Sequence, residues 1–377
     1  MSRRGPHEGN IYQRTDGRWE ARIHLGYADG RRRRKSFYGH TRGEVQEKLT
    51  RALRDQYQGL PVGTDDRLTV GQFLTGWLSD AVRPSVRPKT YATYEMYARC
   101  HLIPELGRIP LARLAPQDVQ RLMNRKLAAG LSPQTVCHLR AVLRRALNQA
   151  NRWGLVPRNV ATLVDPPRVP RREVPVMTPE EARHLLLALR GDRFEALFTL
   201  ALMLGLRQGE VLGLRWEDVD LPSSRLAIRH ALQRVNGKLQ LVEPKTQLSR
   251  RSLIMPPMLV DALQAQRVRQ LEERLWAGSR WRESDLVFTT SLGTPLDGTN
   301  VTHRFQAVLR AAGLPRLRFQ DLRHACASLL LAQGVHPRIV MEQLGHSQIS
   351  LTLNTYSHVL PSLQGEAAQR MEELLAT

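Results

Sequence analysis

The sequence predicts a multidomain chain: a small β-sheet-plus-helix N-terminal domain, an all-α helical domain, and a mixed α+β C-terminal domain. Three observations carry this. Strand-like runs between residues 9 and 40 are punctuated by Asp16-Gly17 and Asp29-Gly30, a residue pair suited to tight hairpin turns. Apolar residues between 67 and 160 recur near the helical period. Beyond 176, a helix apolar all round, a hairpin marked by Asn236-Gly237 and several further helices succeed one another. A chain of 377 residues is too long for one small core and suits two or three domains.

Residues 1–60 hold the first domain. "NIYQRT", "RWEARIHLG" and "RRRRKSFYG" read as its strands. "TRGEVQEKLTRALRDQYQG" reads as its helix, opened by a capping box of Thr41 with Glu44 and closed at Gly59. Arg31, Arg32, Arg33, Arg34 and Lys35 are consecutive in the third strand, so alternation sends some of them to each face. Cations on an open sheet face suit a DNA groove; the plainer reading is a solvated charged strand. "LPVGTDD" is a linker by composition.

Residues 67–160 read as four or five helices, one of them opened by Ser132 as N-cap with Pro133 in the first position. Arg87, Lys89, Lys126, Arg140 and Arg144, with Arg125 and Arg145, make this domain cationic and are its DNA-binding candidates. Residues 161–175 form an extended, Pro-rich connector. In 176–377, Thr178 and Pro179 open a helix and "FEALFTLALMLG" is a buried one. "RLAIRHALQRVNGKLQLVEP" reads as one long hairpin and "RRSLIMPP" as a further strand. The remainder is helical and ends in "SLQGEAAQRMEELLA".

Charge narrows the partner. Lys plus Arg number 56 against 35 acidic residues, a net +21 that attracts polyanions, nucleic acid first among them. Lysines stand only at 35, 48, 89, 126, 238 and 245. Codon bias would be the plainer reading of that preference for arginine, but it leaves the net excess of cations unexplained. No stretch approaches the ~20 apolar residues of a membrane span, and "MSRRGPHEGN" lacks the apolar core of a secretory signal. Cys100, Cys137 and Cys326 are scattered and odd in number, which fits a reducing cytoplasm and no disulfide framework.

Five short motifs carry candidate chemistry. "GLRQGE" places Arg207 just beyond the buried helix, with Glu210 one turn on. A guanidinium there needs an anion, either Glu210 itself or a phosphate that Glu210 helps it face. "EPKT" puts Lys245 in a turn between strands; unlike Arg, it can surrender a proton, although a solvated turn lysine is the plainer reading. "QDLRH" opens a helix with Gln320 and Arg323 three apart, on one side of a terminus that favours anions. His324 beside them reads as a packing histidine. "LGHS" sets His346 after a helix-closing glycine, and Tyr356 follows ten residues later in "NTYSHV".

These motifs, in this order and spacing, resemble the tyrosine recombinases of the phage-integrase family. Their signature is Arg before Gly-Glu, a Lys in a β-turn, His-x-x-Arg at a helix start, a Leu-Gly-His step, and a Tyr about ten residues on. The resemblance covers nearly the whole chain. Residues 67–160 look like the core-site DNA-binding domain and residues 9–59 like the arm-binding domain of integrative-element integrases. It implies a site-specific recombinase that cleaves and rejoins DNA through a 3′-phosphotyrosine on Tyr356, without metal, ATP or other cofactor. It implies Arg207, Arg323 and His346 as phosphate donors, Lys245 as general acid, and a homotetramer on core and arm attachment sites. An excisionase or host DNA-bending protein is a further partner so implied, and the final helix resembles the segment that docks on a neighbouring subunit. Gln320 departs from the pattern, which has His there; Gln hydrogen-bonds but does not titrate. A chromosome-dimer resolvase, a type IB topoisomerase and a catalytically inactive DNA-binding regulator are the alternatives; the arm-like domain argues against the first two, and only Gln320 favours the third.

Overall fold

The computed structural model describes residues 10–28, 31–57, 68–170, 177–235, 237–243, 250–345 and 361–376. The chain divides into two compact units, 1–171 and 172–377.

The first unit opens with an antiparallel sheet in the order β1-β2-β3, from β1 (Asn10–Gln13), β2 (Trp19–Ala28) and β3 (Arg31–Gly39). Gly17, at φ +80°, makes the first turn. One sheet face lays Ala21, Ile23, Ile11, Trp19 and Phe37 on α1 (Arg42–Tyr57), which returns Val45, Leu49 and Ala52. Thr41 caps α1 by accepting from the Glu44 N–H at 3.2 Å; the Glu44 carboxylate reaches back one residue farther than a capping box requires, to the His40 N–H at 3.0 Å. Gly59, read as the helix end, lies outside the described residues. Lys35 pairs with Ile23 across the strands and so stands on the helix side, half-buried, whereas exposed Arg34 pairs with His24 on the open face. The side chains of Arg31, Arg32 and Arg33 lie outside the described set.

A second, all-helical core follows. It is built by α2 (Val70–Trp77), α3 (Pro88–Tyr97), α4 (Ile103–Leu106), α5 (Pro116–Ala128) and α6 (Pro133–Arg152). Single π turns, Leu78–Val82 and Ala98–Leu102, extend α2 and join α3 to α4. Val136, Leu139, Leu143, Ala146, Leu147 and Ala150 recur on one face of α6 and bury it, each apolar side chain contributing up to ~1.5–3 kcal/mol. Ser132 caps α6 by accepting from the Thr135 N–H at 3.2 Å, and Pro133 occupies its first position.

The second unit is α+β. Helices α7 (Pro179–Ala188), α8 (Glu195–Leu204) and α9 (Gln208–Leu212) precede five short strands. Thr178 closes a capping box with Glu181 at α7. Helix α8 is covered on nearly every side and centres the core, where Phe198 meets Phe305 and Phe319. Strands β4 (Val219–Asp220), β5 (Arg225–Ile228) and β8 (Arg251–Ile254) form one sheet in the order β4-β5-β8. Strands β6 (Ala231–Val235) and β7 (Lys238–Val242) form a separate hairpin whose register, Val235 to Lys238, leaves a two-residue turn. The single long hairpin read from 225–244 is therefore two pairings: "RLAI" leaves the Asn-Gly hairpin and joins β8, because the chain breaks its extended run at Arg229 and His230. Helices α10 (Pro257–Ala277), α11 (Gly298–Ala311), α12 (Phe319–Ala332) and α13 (Pro337–Leu344) complete the core. The last helix, α14 (Pro361–Leu375), exposes Met371, Leu374 and Leu375 at 58%, 72% and 72%. Among the described residues no helix is long and apolar enough to cross a membrane.

Candidate active site

The site is assembled at the junction of α8, α9, α12, α13 and β8. Helix α8 stops because Gly205 takes a left-handed conformation, φ +64°, that frees its carbonyl. A Cβ on Gly205 would also stand 2.5 Å from Leu344 Cδ2, so the Leu344 side chain of α13 would have to shift to admit it. Arg323, in the second turn of α12 and 2% exposed, donates from Nη1 to the Gly205 carbonyl at 2.8 Å.

Arg207 is the N-cap residue of α9. Its Nη1 donates to Glu210 at 2.7 Å, and its backbone N–H to the same carboxylate at 3.1 Å. Its Nη2 donates to the carbonyl of Gly345 at 3.4 Å. Gly345 is itself left-handed, φ +66°, and closes α13 immediately before His346. Helix α13 is held in place by Val340 and Leu344, packed on Ala327 and Leu331 of α12. Thus Arg323 is bonded to the residue two before Arg207, and Arg207 to the residue just before His346. Arg207 keeps 40% of its side chain exposed although both of its terminal nitrogens are held.

Glu210, 4% exposed, receives a second cation, Arg251 of β8, through Nη2 at 3.1 Å. Burial works to raise the Glu210 pKa, but Arg251 and then Arg207 outweigh it and hold the carboxyl below its ordinary value. Arg251 also donates from Nε to the Gln343 carbonyl at 2.6 Å, which joins β8 to α13. Sequence reasoning passed over Arg251. Its signal was available: in "RRSL" it shares a strand face with buried Leu253, and a cation on an apolar face needs a buried partner. Beside it, a cleft of about 390 Å³ is lined by Arg229, His230 and Arg250, among others.

Gln320 is exposed, one turn ahead of buried Arg323, so the two share a side of α12 at different depths. Asp321 is buried and paired with Arg318 at 2.8 Å. Burial pushes its pKa up, and the Arg318 hydrogen bonds more than reverse this. His324 is partly buried, and that burial lowers its pKa despite nearby Asp321. Cys326 packs against the site with its thiol pushed up to about 12 by burial, so it carries no thiolate. His336 caps α13 by accepting from the Arg338 N–H at 3.2 Å. Lys245, His346 and Tyr356 lie outside the described residues.

In the helical part of the first unit, Arg87, Lys89 and Arg144 are exposed and Arg140 is half-buried. Lys126 is turned inward to Glu105 at 2.9 Å, and Arg125 joins the same carboxylate at 3.0 Å. Arg145 lies over the Tyr94 ring at 5.4 Å.

The phage integrase family model matches residues 175–362, a span containing all six candidate catalytic positions, and the N-terminal SAM-like domain of phage integrases matches residues 69–127. A tyrosine recombinase XerC-like protein of Caldanaerobacter subterraneus subsp. tengcongensis is 34% identical over 365 residues, covering 92% of this chain and 93% of that one. The chain belongs to the phage integrase family. It is a tyrosine-type site-specific recombinase, an integrase. The recombinase shares its fold with the Tn1549 transposon integrase, solved with a circular-intermediate DNA. The TM-score is 0.70 at 22% identity, over 81% of this chain and 99% of that one. It also aligns with a λ integrase tetramer bound to a Holliday junction, TM-score 0.57 at 16% identity, over 90% and 96% of the two chains.

Proposed function

We propose that Tyr356 is the nucleophile of a DNA strand exchange in which Arg207, Arg323 and His346 hold the scissile phosphate and Lys245 protonates the departing 5′ oxygen. The observation that carries this reading is the convergence of Arg207 and Arg323 on two adjoining helix ends, Gly205 and Gly345, the second leading directly into His346. Attack by the phenolate forms an O–P bond to the 3′ phosphate and breaks the bond to the 5′ oxygen, which leaves with a proton. The phosphotyrosine keeps the phosphodiester's energy, so rejoining needs no ATP. Guanidinium forks match the non-bridging oxygens, and each preorganised donor of this kind typically supplies ~3–4 kcal/mol. A phenol with a pKa near ~10 needs such cations to ionise at neutral pH. Glu210, shared between Arg207 and Arg251, orients Arg207 and offsets part of the charge; with Arg323, three guanidiniums stand against this one carboxylate, so the phosphate meets net positive charge.

Around this chemistry we place the helical domain on core sites through Arg87, Lys89, Arg140 and Arg144, the N-terminal sheet on arm sites, and a tetramer joined through α14. The exposed Met371 and Leu375 support a partner for that helix. The element moved is a phage or other integrative element, with an excisionase or DNA-bending protein as helper. A nicked suicide duplex tests the core of this. A covalent protein–DNA adduct forms with the parent chain and is lost with Tyr356→Phe. Specific binding without any adduct would make the chain a DNA-binding regulator instead.

A further inference from the structure

The open face of the N-terminal sheet carries a built cluster that the Arg-rich run did not announce. Strand register aligns Tyr12 with Glu20 and Glu20 with Tyr38, and sets Arg22 beside them, opposite Asn10 and Ser36. All stand on the side away from α1, since Ile11, Ala21 and Phe37 take the other. Glu20 lies at the floor, 1% exposed. Arg22 donates to it from Nε at 2.6 Å, and Arg14 approaches the same carboxylate at 3.7 Å. The two guanidiniums lie over aromatic rings, Arg22 over Tyr12 at 5.1 Å and Arg14 over Tyr38 at 5.4 Å. Yet both arginines remain open, with 46% and 42% of their side chains exposed.

Such a cluster is poorly made for phosphate. A fixed carboxylate beneath two cations repels a second anion and cancels part of their charge. The Arg22 hydrogen bond, reinforced by Tyr12 and Ser36, holds the Glu20 carboxyl down at about 2, so it stays charged at neutral pH although burial opposes this. What the cluster offers instead is an arginine whose Nε is held and whose terminal nitrogens remain for a neutral pair of acceptors. The O6 and N7 edge of guanine in the major groove is such a pair. Tyr12, Glu20 and Tyr38 lie across three strands, a width of ~10 Å that fits a major groove ~12 Å wide.

We propose that Arg22, held in place by Glu20 and flanked by Arg14, reads a guanine in duplex DNA. Arg22 is the specificity-determining residue of the N-terminal sheet, and Glu20 is its positioning residue. This rests on the reading that the sheet binds arm-type duplex sites.

The test uses the full chain and a randomised duplex pool, followed by affinity measurements on the selected sequences. The parent chain is expected to select two motifs, one for core-type binding and a second, guanine-containing one. Arg22→Lys keeps the charge but loses the fork. It should weaken binding of the second motif by about ten- to a hundred-fold, leaving affinity for unselected duplex and its salt dependence unchanged. Replacing the guanine by 7-deazaguanine should cost the parent chain a similar factor and Arg22→Lys nothing further. Glu20→Gln should erase the guanine preference without weakening binding to unselected duplex, since it removes a negative charge. Circular dichroism of each variant confirms the sheet. If Arg22→Lys binds the selected and 7-deazaguanine duplexes with parental affinity and preference, the assignment of Arg22 fails while arm binding stands. If no second motif emerges, the arm-binding reading fails and this proposal with it.

Discussion

Replacing Arg251 by Gln removes one of the two cations that hold Glu210. Both side chains are buried, 7% and 4% exposed, so the change leaves a carboxylate with a single partner in a dry place. Breaking a buried pair from one side costs about 3–5 kcal/mol. Arg207 stays bonded to Glu210 at 2.7 Å, which favours the lower end, ~3 kcal/mol. At ~2–4 °C per kcal/mol for a domain of this size, the C-terminal unit should melt ~6–12 °C lower by calorimetry at pH 7. The sign of the acid dependence follows from the lowered Glu210 pKa. Its contribution is present above the ordinary carboxylate range and is lost as pH falls through the folded-state value. With Arg251 gone the folded-state value rises, so the contribution is smaller and is exhausted at a higher pH. Cleavage of a nicked duplex should fall further than stability alone explains, because Arg251 also holds Gln343, three residues before His346. Combined with Glu210→Gln, the loss should be less than the sum of the singles by ~0.5–3 kcal/mol. A melting point within about 1 °C of the parent's, under ~0.5 kcal/mol on the same scale, would refute the reasoning.

Gly205→Ala forces a side chain into φ +64° and against Leu344 at 2.5 Å. It should cost at least ~1–3 kcal/mol in a denaturant titration and depress cleavage by displacing α13. Lys126→Ala should change core-duplex affinity and its salt slope less than Arg144→Ala does, by fluorescence anisotropy, because Lys126 is tied to Glu105 at 2.9 Å. Gln320→His should cleave a suicide duplex at an equal or greater single-turnover rate, up to the ~10²–10⁴-fold that proton-transfer assistance contributes; a clear loss would show that the amide has its own role.

The local grammar of the chain was readable without coordinates. Asp16-Gly17 announces the first hairpin, Thr178-Pro179 and Ser132-Pro133 announce their helix starts, and the apolar period announces α6; all are effects of neighbours in sequence. So was the order of the candidate chemistry, because Arg207, Glu210, Arg323 and the Leu-Gly-His step stand in the order and spacing of the family signature. What lay beyond reach were partnerships between distant segments. That "RLAI" pairs with β8 rather than with the Asn-Gly hairpin depends on which edge each strand finds in the folded unit. That Lys126 turns inward depends on Glu105, 21 residues away.

Residue types and their spacing determined that this chain folds as a sheet-plus-helix module, a helical module and an α+β recombinase unit rich in cations. Tertiary structure alone decided which cations are shared, which are covered and which remain open. Arg251 joins Glu210 across 41 residues, and Arg207 reaches Gly345 across 138. The reason is physical: a charge's state depends on its desolvation and its nearest opposite charge, and both are set by chain segments that meet only once the core has closed.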